Sequence, residues 1–141
     1  MNMRTGSRLL LVPVALLVCC TSSKRMDTDI ASLSHELMVP LPSDARVLGV
    51  ERQSGLDDMV RAKVEMSRAA FDRILAQLPM ARASFSRGKG RLGADHGFWN
   101  PGATPDIRYA QAPLAEGRVL HVGYADSSHD RVVLFIVNHG T

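Results

Sequence analysis

Residues 58–79 read DMVRAKVEMSRAAFDRILAQLP. Within this stretch the apolar period changes from two residues to about 3.6. Val60, Ala62, Val64 and Met66 fall on one side of an extended chain, and Met59, Arg61, Lys63 and Glu65 on the other. That alternation describes a half-buried strand. Ser67 follows, a residue type suited to capping a helix N-terminus. Phe71, Ile74, Leu75 and Leu78 then recur at i, i+3, i+4 and i+7, the single apolar stripe of a helix, and Pro79 closes it. Strand and helix abut without a loop, so the stripe is expected to pack on the face carrying Val60 and Val64.

Working outward, ARVLGVERQSG at residues 45–55 is a second strand, with Leu48 and Val50 among Arg46 and Arg52. QSGL is the turn, Gly55 being free to take a positive φ. The two strands make a hairpin. A second hairpin closes the sequence: RVLHVGYA (118–125) and RVVLFIVNHG (131–140), joined by DSSHD. Leu120, Val122 and Tyr124 share a face. Val132 to Val137 is apolar at every position, which implies burial on both sides. One side takes the helix, and the segment around Phe98 and Trp99 is the natural cover for the other. Residues 81–117 are rich in Gly and Pro and are expected to be a long irregular loop. The expected fold is α+β: an antiparallel sheet of two hairpins with one main helix on a face, in the order β-β-α-β-β.

At 141 residues, 45% hydrophobic and 22% charged, the sequence suits one globular domain. Two of its 17 Lys and Arg, Arg4 and Arg8, precede the apolar run Leu9 to Val18; the remaining 15 face 14 Asp and Glu. A balance this even gives no argument for nucleic acid as a partner.

Arg4 and Arg8, the apolar run of about ten residues, and the small residues Cys19 to Ser23 have the layout of a secretory signal peptide. The run is half the length a membrane span needs. Leu17-Val18-Cys19-Cys20 resembles the lipobox of bacterial lipoproteins, with Cys19 standing where Gly, Ala or Ser is usual. The resemblance implies a signal peptide over residues 1–19, cleavage before Cys20, lipid on its sulfur, and a tether over residues 20–45 leading to a domain at 46–141. Thr21, rather than Asp, follows the lipidated position, which is the pattern for the outer membrane rather than the inner. Ordinary cleavage, leaving a periplasmic or secreted protein, is the alternative. Within the tether, Ile30, Leu33 and Leu37 have the spacing of a short helix, with Thr28 or Asp29 as cap. Leu41-Pro42-x-x-Ala45 before the first strand and Trp99-x-Pro101 before the last hairpin give the sequence the look of small bacterial envelope lipoproteins and exported proteins of uncharacterised activity. That likeness spans residues 41–137 and implies no particular reaction.

Five histidines, His35, His96, His121, His129 and His139, fit neither HExxH nor a Cys/His zinc spacing. His121 with Asp95 and His96 is the one combination from which a small hydrolase or metal site is conceivable. No G-x-S-x-G elbow is present, and RGKGRLG lacks the spacing of a phosphate loop. No cofactor is expected. Arg82, Arg87, Lys89 and Arg91 lie close in sequence to Phe98 and Trp99. This is the candidate binding surface of a lipid-anchored, non-enzymatic envelope domain, facing a membrane or an envelope protein partner.

Overall fold

A computed structural model describes residues 28–140. The expected signal peptide, the Cys19–Cys20 pair and the first part of the tether lie outside the described residues. The elements are α1 (Ile30–Leu37), β1 (Arg46–Gln53), β2 (Met59–Ser67), α2 (Arg68–Leu75), β3 (Ser86–Arg87), β4 (Arg108–Pro113), β5 (Arg118–Ser128) and β6 (Arg131–Gly140). The described strands form one six-stranded antiparallel sheet in the order β1-β2-β6-β5-β4-β3.

This corrects the β-β-α-β-β expectation in two ways. The described residues have no single main helix: α1 and α2 are eight residues each and both pack on the same face of the sheet. The sheet has six strands rather than four, because β3 and β4 lie inside the stretch expected to be irregular. Leu33, Leu37 and Val39, in and just after α1, are fully buried.

Local chemistry explains the helices. The Asp29 carboxylate accepts from the backbone N–H groups of Ala31 (3.1 Å) and Ser32 (3.3 Å), capping α1. Met38, with φ 57°, ends it in a left-handed turn. Ser67 Oγ accepts from Ala70 N (3.1 Å) and starts α2 directly from the last residue of β2.

The sheet buries both faces. On the helix side, Ala62, Val64 and Met66 of β2 and Val132, Leu134 and Ile136 of β6 meet Phe71, Ile74, Leu33 and Leu37. On the other side, Val133, Phe135 and Val137 are covered by Leu92, Trp99 and Ile107 from the 88–107 segment. The central strand β6 thus alternates between two cores, as its unbroken apolar run implies. A bulge between Val47 and Gly49 shifts the register of β1, so Leu48 and Val50 end on opposite faces.

The covering segment is seated on glycines. A Cβ on Gly49 would collide with the Phe98 ring, and one on Gly123 with Leu92. Trp99 stands edge-on to Phe135 (centroids 5.3 Å apart), and its indole N–H donates to Leu92 O (2.8 Å). Reciprocal backbone bonds between His96 and Trp99, 2.7 and 2.8 Å, close the loop that presents the indole.

Candidate functional site

The sheet brings together three groups of polar side chains, two on the loop-covered face and one at the far edge of the helix face. The first is a chain through the buried His121. Tyr109 Oη lies 2.6 Å from His121 Nδ1, and His121 Nε2 lies 2.8 Å from His139 Nε2. The planes of the two imidazoles lie 10° apart, so a ring N–H can point at the facing nitrogen. His139 Nδ1 is 2.9 Å from the carbonyl of Gly140, which can only accept, so Nδ1 carries the proton. His121 Nε2–H then donates to His139, while the Tyr109 hydroxyl stands between His121 Nδ1 and Gln111 Oε1 (2.8 Å). Burial, and after it His139 and Arg91, pushes His121 down to about 4. Burial likewise raises Tyr109, partly opposed by the backbone N–H of Arg91. His121 is therefore a neutral core group whose polar atoms are all used.

The second group surrounds Glu51. Its carboxylate accepts from Arg61 Nε (3.0 Å) and Nη2 (2.7 Å), and lies 2.9 Å from His96 Nε2. The hydrogen bonds from His96 and Arg61 hold Glu51 below the usual carboxylate range. The Arg61 guanidinium also lies over the Trp99 ring, 5.2 Å from its centroid. Lys63 reaches Asn100 Oδ1 (2.6 Å) while lying over Phe135. Cations of β2 thus clamp the covering segment.

His121, Asp95 and His96 have separate partners: His121 binds Tyr109 and His139, and His96 binds Glu51 and Arg61. Asp95 Oδ1 accepts from Gly102 N (2.7 Å) and shapes the loop. Among the described residues no three His, Cys, Asp or Glu side chains stand where they could hold a metal ion.

The basic residues of the candidate binding surface are dispersed. Arg82 pairs with Asp72 (2.6 Å), Lys89 Nζ donates to Gly93 O (3.2 Å), and Arg91 lies beside Tyr109 and His121. Trp99 is fully buried and Phe98 lies on Gly49, so both aromatics serve the core of the loop-covered face.

Arg87 belongs to the third group, which sequence reasoning missed. A cleft of about 420 Å³ is lined by Arg68, Arg87 and Arg108, with Asp106, Asp126 and Tyr124 among its other walls. Arg68 is the first residue of α2 and pairs with Asp126; Arg87 pairs with Asp106 (2.7 Å). Arg87 and Arg108 are direct cross-strand partners, and Arg108 in turn faces Tyr124. Tyr124 is fixed by ring contacts with Phe71 (4.6 Å) and Phe85 (5.1 Å). Among the described residues, neither the Arg108 guanidinium nor the Tyr124 hydroxyl has a hydrogen-bond partner. No short motif could have announced this cleft, because its cations come from three separate segments.

No family model, curated protein or solved structure matches this chain.

Proposed function

We propose that this protein is a lipid-anchored domain of the bacterial cell envelope, held at the outer membrane through Cys20, that acts by binding an anionic partner rather than by catalysis. The anchor rests on the Leu17-Val18-Cys19-Cys20 sequence after its apolar run. The binding role rests on one observation: the cleft where Arg87 and Arg108 stand opposed, Arg108 without a hydrogen-bond or ion-pair partner among the described residues, whereas no buried side-chain polar atom described lacks one. The two carboxylates at the cleft are no barrier, since exposed ion pairs contribute only about 0–1 kcal/mol and exchange readily. A domain tethered to a surface meets its partner at raised effective concentration, so modest affinity suffices.

Two measurements test this. The full chain is expressed with a labelled fatty acid beside Cys20→Ala. Label on the parent alone supports the anchor, label on both excludes Cys20 as the acceptor, and label on neither favours simple export. For the partner, cross-linking in intact cells is compared between the parent and Arg87→Glu combined with Arg108→Glu. Loss of the cross-linked species supports the basic cleft as the contact, and an unchanged pattern sinks it.

A further inference from the structure

The geometry points to a phosphate monoester as the group this cleft takes, held between Arg87 and Arg108 with Tyr124 as a third donor. The inference rests on the binding role proposed above and names its chemistry.

Like charges directly opposite on paired strands are destabilising. Here Arg87 and Arg108 face each other on β3 and β4, and β3 is two residues long, so little other pairing holds that edge together. Folding sets two cations against each other at the weakest ladder of the sheet. An anion between them turns the repulsion into two attractions. Arg87 keeps an exposed pair with Asp106, both side chains about four-fifths exposed, and Arg108 has no acidic partner among the described residues. The next residue in the same row, Tyr124, has a hydroxyl without a hydrogen-bond partner among the described residues, on a ring clamped by Phe71 and Phe85.

The count of groups selects the ligand. A carboxylate offers one charge and two oxygens, which would only repeat what Asp106 and Asp126 already supply. A phosphate monoester offers about two charges and three terminal oxygens. Two charges match two opposed guanidiniums, and three oxygens match two planar forks and one phenolic O–H. Guanidinium forks bind phosphate oxygens bidentately, with strong charge-assisted hydrogen bonds. Arg68, already paired with Asp126, closes the side nearest α2 and keeps the local field positive. The cleft, at about 420 Å³, has room for the alcohol that carries the phosphate. That alcohol is either a small soluble molecule or a lipid, and the phosphate chemistry is common to both.

The test titrates the protein with inorganic phosphate and, in a second arm, with phosphatidylcholine vesicles with and without phosphatidic acid. Acetate is the monoanion control. Saturable phosphate binding, absent with acetate, is expected. Arg108→Gln should weaken it by about tenfold or more, the loss of one bidentate charge-assisted contact, while Arg73→Gln, an exposed arginine of α2 outside the cleft, leaves it unchanged. Because Arg108→Gln also removes the opposed charge, its thermal midpoint should hold or rise, which separates lost binding from lost folding. Retention on phosphatidic acid vesicles that Arg108→Gln abolishes identifies a lipid headgroup; binding of inorganic phosphate without such retention identifies a soluble monoester. No saturable binding in either arm, or equal affinity in Arg108→Gln and Arg73→Gln, overturns the proposal. If cross-linking still depends on Arg87 and Arg108 while phosphate does not bind, the ligand assignment fails and the binding role stands.

Discussion

Acid should weaken this fold before its carboxylates titrate, and His121 is the reason. In the unfolded chain its imidazole has a pKa near 6.5; in the fold, burial and the neighbouring His139 and Arg91 lower it to about 4. The unfolded state therefore binds a proton that the folded state refuses. Stability is complete above about pH 6.5, declines as pH falls toward 4, and has no further His121 contribution below that. The full difference is 2.5 pK units at 1.36 kcal/mol each, about 3 kcal/mol, and about 2 kcal/mol of it is gone by pH 5. Glu36, Glu51 and Asp29 are also lowered, by partners among Arg52, His96 and Ser32, but their stabilisation is lost only below their ordinary range near 4–4.5. From about pH 8 to about pH 5 the lowered carboxylates stay charged, and comparison with a variant at residue 121 isolates this imidazole from the other four. Urea denaturation across it, on the parent and on His121→Gln, reads the effect as a difference of slopes. The parent should lose about 2 kcal/mol more than the variant. Parallel lines for the two proteins would refute the claim that His121 is held neutral by the fold.

Three further outcomes test how the structure is held. Trp99→Ala removes the plug of the loop-covered core and should cost about 3–5 kcal/mol by denaturant midpoint, the range for a buried aromatic; a change below about 1 kcal/mol would mean that the segment does not cover β6 in solution. Gly123→Val drives a side chain into the space of Leu92 and Ile107 and should lower stability by about 1–3 kcal/mol, despite the better strand propensity of Val. Asp29→Ala removes the cap of α1 and should lower the denaturant midpoint, whereas an unchanged midpoint would show that the helix is held by Leu33 and Leu37 alone.

What could be read from the residues depended on how large their side chains are. Val132–Val137 declares two buried faces because six consecutive apolar residues leave no polar side. The strand-to-helix junction at Ser67 is equally plain, since the period changes there and a capping hydroxyl marks the spot. β4 is silent for the opposite reason: its inward residues are Ala110 and Ala112, too small to stand out, and Pro113 argues against a strand. The bulge in β1 is silent as well, because an inserted residue leaves no compositional mark. Trp99 was legible as a cover and misleading as a binding surface; a lone large aromatic among glycines suits either role, and only its burial decides. The His121–His139 pairing was within reach. The short DSSHD turn sets the hairpin register, His121 pairs with Val137, and His139 lies two residues further on the same face. The arginine cleft was out of reach, because opposing Arg87 with Arg108 requires β3 and β4 to be known first.

The position of β6 has a consequence for how the molecule comes into being. It is the last described strand in the chain, yet it lies between β2 and β5 and belongs to both cores. Arg131 reaches Glu65 across 66 residues, and Asn138 reaches the Glu36 carbonyl across 102. Until β6 is made, β2 has an open edge and neither hydrophobic layer can close, so no intermediate length of the chain holds a stable sheet. β6 meets β5 through a short turn, but its contacts with β2 and the helices are all long-range, which slows folding. A polypeptide that stays open until β6 arrives commits both layers in one step, and a truncation of only a few residues from β6 should leave a chain that never locks at all.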